Sequence, residues 1–189
     1  MLRFAVFLLA ASCLMAQPRY TADGQLILPG DYREGVFLSS GLGMTYDSPN
    51  APGMQMKPSF TNVFVNPAAY RSFVATGKWP DKTMLLLEVR ASASKGSINQ
   101  GGSYQSGLVA IEGEVKDVAR FPGNGWAFFA FGKSSSGKML PRTEDCYACH
   151  LEHGAVDNTF VQFYPALLEI AKQKGTLTPA FVHESSGQR

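Results

Sequence analysis

Two cysteines and a histidine near the end of the chain are the residues best suited to chemistry. Cys146 and Cys149 are separated by two residues, and His150 follows directly. Thiols about one helical turn apart can reach the two vinyl groups on one edge of a porphyrin, and the histidine can then bind the iron as the proximal ligand. The spacing therefore predicts a covalently attached haem c, held by both cysteines, with His150 on the iron.

The same residues also suit a redox dithiol or half of a zinc site. A zinc site needs two more ligands, and since Cys13 is the only further cysteine, His153 and His183 would have to serve. A thioredoxin-like dithiol does not require the histidine and accompanies a βα pattern, which is absent here. Haem c is the interpretation that uses all three residues of the motif.

Residues 1–16 have the pattern of a secretory signal peptide. Arg3 provides a positive charge, Phe4–Leu9 is a continuous apolar run, and Ala16 is a small residue suited to cleavage. The apolar run is too short to span a bilayer. Because haem c is attached outside the cytoplasm, the leader and the motif together predict a periplasmic protein.

Cys13 leaves open a second interpretation of the leader. Small residues precede it, as in a lipoprotein signal, although Ala10 stands where such signals usually carry a large aliphatic residue. We expect cleavage after Ala16, which leaves residues 17–189 as a single haem c domain.

Charge and cysteine content narrow the possible partners. The chain has 17 basic and 15 acidic residues, and this near-neutral balance argues against nucleic acid or an anionic membrane as a partner. Once the leader is removed, only the motif cysteines remain, so no disulfide framework is available. Haem and a hydrophobic core are left to stabilise the fold.

Hydrophobic patterns predict both strands and helices. Predicted strands are Phe60–Val65, Thr83–Val89, Leu108–Val115 and Trp126–Phe131. Predicted helices start at Asn66-Pro67, with Gly77 at the end, and run over Pro165–Lys172. The fold class is therefore α+β: a mostly antiparallel β-sheet with peripheral helices and the haem motif near the C-terminus.

Other segments are predicted to be irregular. Composition indicates loops at Ser39–Pro58 and Ala91–Ser106, and a loosely held tail after Thr176. Alternation along Leu108–Val115 puts Val109, Ile111 and Val115 on one face and Leu108, Ala110, Glu112 and Glu114 on the other.

Short motifs surround the haem motif in a defined order. They are LPGDYRE at residues 28–34, VFVNPAAY at 63–70, TGKWPD at 76–81, VKD at 115–117, RF at 120–121, WAFF at 126–129 and QFYP at 162–165. The ordered set resembles the cytochrome P-460 family, which includes hydroxylamine-oxidising cytochromes and β-type cytochromes c′.

The resemblance implies a homodimer of mostly antiparallel β-sheet subunits, each with one haem c and a five-coordinate iron bound by His150. In the hydroxylamine-oxidising members, a strand lysine also bonds to the porphyrin, and Leu87 occupies that position in this sequence. We therefore expect no such cross-link, although Lys82 and Lys95 are near in sequence. Without it, the chain is more similar to the β-type cytochromes c′, which bind nitric oxide at an apolar distal face.

Glu112 matches the position of a distal carboxylate that relays protons in the hydroxylamine-oxidising members; the alternative is an ordinary solvated strand glutamate. His153 lies on the same side of the haem as His150 and is expected to be a surface residue. Candidate sixth ligands and pocket walls follow from residue type alone: Met44, Met54, Met56 and His183 as ligands, and Phe60, Phe64 and Phe163 as walls.

The functional expectation is an open-site haem protein that binds or converts nitric oxide or hydroxylamine-type species, with a redox partner cytochrome. The alternatives are a six-coordinate electron-transfer cytochrome c and a nitric oxide sensor or store without turnover. The sequence leaves open whether the protein is an enzyme.

Overall fold

The computed structural model describes residues 17–45 and 58–187. The predicted signal peptide with Cys13, and the two methionines Met54 and Met56, lie outside the described residues. No helix within the described ranges is long and apolar enough to cross a membrane.

One antiparallel sheet organises these residues. Its strands are β1 (Leu26–Ile27), β2 (Val36–Leu42), β3 (Phe60–Val65), β4 (Met84–Ala93), β5 (Tyr104–Lys116), β6 (Trp126–Gly132) and β7 (Ser136–Met139). The spatial order is β1-β7-β6-β5-β4-β3-β2, so β2 to β7 form a meander and β1 pairs with the edge strand β7.

Four helices lie at the margins of the sheet: α1 (Pro67–Thr76), α2 (Asp145–His153), α3 (Pro165–Lys174) and α4 (Pro179–Gly187). Short 3-10 turns occur at Tyr32–Glu34 and Val161–Phe163. The predicted α+β class is confirmed, and the haem motif lies on α2.

Hydrogen bonds hold together the segment that runs from β3 through α1 to the start of β4. The predicted α1 is confirmed, and Gly77 ends it in the left-handed conformation with its N–H on the Phe73 carbonyl. Asn66 precedes the helix, but its side chain does not cap it. The amide instead donates to the Lys82 carbonyl and accepts from the Met84 N–H, which ties the start of α1 to the start of β4.

Each face of the sheet packs on its own hydrophobic cluster. The first cluster lies between the sheet and helices α1 and α3, and it includes Val65, Phe73, Leu85, Trp126 and Leu167. The second cluster lies on the opposite face under the N-terminal segment, and it includes Leu26, Leu86, Ile111, Val115 and Phe129. Alternation along the strands divides the apolar side chains between these two clusters.

The loop and tail predictions were partly wrong because strand pairing extends further than composition indicates. β2 continues to Leu42, β4 continues to Ala93, and β5 already begins at Tyr104. The tail after Thr176 forms α4, and Phe181 packs against the first cluster. Backbone pairing and apolar contacts here outweigh the low strand and helix propensity of Gly, Ser and Asn.

The predicted faces of β5 also need one correction. Its pairing with β4 shifts between Ala110 and Leu108, which places a bulge at Val109. Val109 is exposed, and Leu108 packs with Ile111 in the second cluster. A bulge inserts one residue and reverses the alternation beyond it; the assignment of Glu112 to the face opposite Ile111 is unaffected.

Candidate functional site

Helix α2 presents the two thiols and the imidazole together. Cys146 lies four residues before His150 and three before Cys149, so all three occupy neighbouring positions on the helix surface. Both cysteines are half-buried free thiols. Burial raises the pKa of each, and nearby acidic side chains act in the same direction. Redox dithiols typically have a lowered thiol pKa, so the direction of the shift favours haem attachment over that alternative.

His150 is held so that one ring nitrogen is free to bind a metal. Its side chain is only 17% exposed, and Nδ1 lies 2.8 Å from the Asn158 carbonyl oxygen. That carbonyl is an acceptor, so Nδ1 carries the proton and Nε2 keeps its lone pair. The rings of Phe128 and Phe160 flank the imidazole at centroid distances of 4.6 and 4.1 Å.

Glu114 on β5 is the buried carboxylate closest to this imidazole. It is 8% exposed, and its Oε1 lies 3.4 Å from His150 Nδ1 without a hydrogen-bond partner. Burial raises the pKa of Glu114. Burial acts to lower the pKa of His150, but the Glu114 carboxylate, the Asn158 carbonyl and the Glu112 carboxylate together outweigh burial and raise that pKa above its usual value.

A cavity of about 450 Å³ lies between the sheet and the segment that contains His150. This volume is within the range of about 300–1,000 Å³ typical of cofactor sites. Most of its walls are apolar or aromatic: Val63, Leu85, Leu87, Val89, Phe128, Phe160, Phe163 and Tyr164. Three ionisable side chains also line it, namely Glu112, Glu114 and His150.

Leu87 and Glu112 both line this cavity. They are direct cross-strand partners on β4 and β5, and Glu112 is exposed, at the solvent side of the cavity. Lys82, in contrast, pairs with Asp117, and Lys95 is exposed in the β4–β5 connection. Neither lysine is among the residues that line the cavity.

The other predicted ligands and walls divide into two groups. Met44 and Phe163 line the cavity, and Met44 is 51% exposed. The prediction was wrong for Phe60 and Phe64, because strand alternation puts both on the face opposite Val63.

The two remaining histidines do not line the cavity. His153 is 45% exposed with Nδ1 3.3 Å from the Glu184 carboxylate, which agrees with its predicted place at the surface. His183 is exposed on α4.

The residues present fit a haem better than a lone metal ion. Within residues 17–45 and 58–187, no group of three or more His, Cys, Asp or Glu side chains is arranged to hold an ion. The cavity instead offers one imidazole and broad apolar walls, and helix α2 carries two thiols near that imidazole in the chain, although neither thiol is among the lining residues. Together these are the groups that a c-type haem requires. The unpaired Glu114 oxygen beside His150 is a further sign of an incomplete polar site.

A family model described as Cytochrome P460 matches residues 29–161. The chain belongs to the cytochrome P460 family. The matched range is more than half of the chain and contains the whole haem motif. No curated protein matches the chain. As a member of the cytochrome P460 family, the protein is a haem-binding cytochrome, and the predicted family is confirmed.

Sequence reasoning missed Glu114 and Asn158 in this cytochrome P460 site. Glu112 was selected by the family resemblance, and Glu114 follows it by two residues on the same strand, so alternation places both on the cavity face. Asn158 contributes a backbone carbonyl, for which its side chain gives no signal. Phe128 and Phe160 lie in apolar segments and have no feature that separates them from core residues.

Proposed function

We propose that this cytochrome P460 protein is an exported, haem-c-containing protein with an open distal site. It binds or converts nitric oxide or hydroxylamine-type nitrogen species. The observation that carries the proposal is that His150 is the only imidazole among the described residues that line the cavity. The strand side of the cavity carries Leu87 and other apolar residues together with Thr61 and Glu112, none of which is a usual haem iron ligand.

Each part of the site has a distinct task in this proposal. Cys146 and Cys149 form thioethers that hold the haem to α2, and His150 Nε2 binds the iron. When bound, the haem supplies an iron that takes up small nitrogen ligands and exchanges electrons with them. Leu87 keeps the distal side apolar and excludes water.

Glu112 is the residue most relevant to whether the protein catalyses a reaction. Its carboxylate lies at the solvent side of the cavity, where it can accept protons from a bound N–H group and pass them to water. Leu87 favours binding without turnover, because the lysine linked with hydroxylamine oxidation in the family is absent. A nitric oxide sensor or store is therefore the function that requires the fewest catalytic groups beyond those present in the site.

The test compares the haem-loaded wild type with Glu112→Gln in two assays. If Glu112 relays protons, the variant should lose about 10²- to 10⁴-fold in hydroxylamine oxidation with an electron acceptor, while nitric oxide affinity is unchanged. The matched control is Glu169→Gln on the exposed surface of α3. Nitric oxide binding without hydroxylamine consumption in the wild type assigns a binding protein, and failure to bind either ligand contradicts the proposal.

A second candidate is a six-coordinate electron-transfer cytochrome. The observation that favours it is Met44 at the edge of the cavity, since methionine is an established axial ligand. We further propose that the protein is periplasmic and homodimeric and exchanges electrons with a partner cytochrome. Size-exclusion chromatography and fractionation of the expressing cells test the first two of these statements.

A further inference from the structure

We propose that the ion pair between Lys116 and Asp157 positions the proximal histidine. Neither Lys116 nor Asp157 is among the residues that line the cavity, and the pair joins strand β5 to the loop after α2. It acts through the loop that follows α2, by holding the Asn158 carbonyl against the imidazole. The inference rests on His150 being the iron ligand of the proposed function.

The backbone of this loop adopts an unusual conformation. Asp157 and Asn158 have φ angles of 49° and 65°, in the left-handed region that L-residues rarely occupy and that Asp and Asn tolerate best. Two consecutive left-handed residues turn the Asn158 carbonyl toward His150 Nδ1, 2.8 Å away. Such a conformation persists only where the surroundings hold it.

Lys116 supplies one of the contacts that hold the loop. Its ammonium group pairs with the Asp157 carboxylate and also donates to the Trp79 carbonyl at 3.0 Å. The Trp126 ring lies 5.7 Å from the ammonium group, and its Nε1 donates to the same carboxylate at 3.4 Å. Strands β5 and β6 thus fix the residue that precedes Asn158.

Thr159, the residue that follows Asn158, is fixed by a second set of contacts, which shares Trp79 with the first. The Trp79 indole donates to its hydroxyl at 2.7 Å, and the hydroxyl donates to the Val156 carbonyl. Thr159 is fully buried. Asn158 is therefore held from both sides, and its carbonyl has little freedom to move.

The consequence concerns the strength of the bond between His150 and iron. A carbonyl that accepts from Nδ1–H fixes the tautomer and orientation of the ring and raises its basicity at Nε2. A loop released from Lys116 presents the Asn158 carbonyl less well, so the imidazole becomes a weaker donor. Lys116 is a positioning residue in this scheme, because it reaches the iron ligand only through Asp157 and Asn158.

Resonance Raman spectroscopy of the ferrous, haem-loaded full chain tests the inference. Lys116→Met and Asp157→Asn should lower the frequency of the iron–histidine stretching band and raise the midpoint potential of the haem. Asp157→Asn is informative because asparagine suits the left-handed conformation, so the variant removes the charge and keeps the backbone preference. Lys116→Arg retains the positive charge and should therefore show the iron–histidine band at the wild-type frequency.

Lys82→Met is the matched control. The Lys82 side chain pairs with Asp117 and Asp81 and not with the loop, and the variant keeps the backbone hydrogen bond from the Lys82 N–H to the Lys116 carbonyl, so the band should be unchanged. A band that stays at the wild-type frequency in both Lys116→Met and Asp157→Asn overturns the inference, whatever their thermal stability. If Lys116→Met does not fold, the test is the band frequency of Asp157→Asn compared with that of Lys116→Arg. A wild type without any iron–histidine band contradicts the proposed function itself.

Discussion

Leu87 and Glu112 lie directly opposite each other on neighbouring antiparallel strands, and both side chains line the cavity that contains His150. An apolar group thus occupies the position of the family's cross-linking lysine, and a carboxylate is its immediate neighbour. The residue at position 87 determines whether the haem can bond to this strand, and the residue at position 112 determines whether the site can relay protons. Single substitutions can therefore test the two properties separately.

The absence of a lysine at position 87 predicts a haem attached through thioethers alone. Peptide mass spectrometry of the purified protein should find haem on the Cys146–His150 peptide and on no lysine-containing strand peptide. Leu87→Lys places an amine at the cavity wall. With an added two-electron oxidant to accept the electrons released as N–H and C–H bonds are replaced by an N–C bond, it should allow a second bond to the porphyrin, detected as a linked peptide and a red-shifted ferrous Soret band. Val109→Lys, at an exposed position of β5, is the control without a linked peptide. A wild-type cross-link through Lys82 or Lys95 would contradict this account.

Removal of the thiols should release the haem stepwise. Cys146→Ser and Cys149→Ser each leave one thioether, so some haem should remain on the polypeptide after denaturation. The double variant should lose all of it, because His150 alone binds the iron reversibly. Haem staining of denaturing gels measures this directly, and haem retained by the double variant would show that attachment is elsewhere.

Met44 is predicted to be a wall residue and not an iron ligand, because half of its surface is exposed at the cavity edge. Met44→Leu keeps the volume and removes the thioether, so the spectra of the ferric and ferrous protein should not change. His183→Ala should behave in the same way, since His183 is exposed on α4. A change from low-spin to high-spin absorption in either variant would identify a sixth ligand.

Glu114 should make the stability of the haem-free protein depend on pH. Burial raises its pKa above the ordinary value of 4.5, so the folded state binds the proton more tightly than the unfolded state. The stabilisation is complete below pH 4.5 and is lost as the pH rises through the higher pKa of the folded state. Above the pKa of the folded state, protonation of Glu114 no longer stabilises the protein.

Glu114→Gln should remove this pH dependence. Because an unpaired buried charge costs more than the roughly 1–3 kcal/mol of an unpaired neutral polar group, replacing the carboxylate by a neutral amide should raise the free energy of unfolding at pH 7. Denaturant unfolding at several pH values measures both effects. A wild type whose stability rises with pH over this window would contradict the assignment.

The haem motif and the main strands were predictable because they depend on local spacing and alternation. Cys146, Cys149 and His150 are close in sequence, whereas Leu87 and Glu112 were singled out by the resemblance to the family. The bulge at Val109 was not predictable, because it arises from pairing between two strands. The Asn158 carbonyl was missed for a related reason: its role depends on a loop conformation that distant residues such as Lys116 hold in place.

The absorption spectrum of the purified, haem-loaded protein in the ferric and ferrous states tests the central claim most directly. An open site with His150 as the only strong axial ligand predicts an ordinary high-spin haem c spectrum, with a ferrous Soret band that is not red-shifted. A sharp low-spin spectrum in both oxidation states would contradict the open site and would assign the protein to electron transfer.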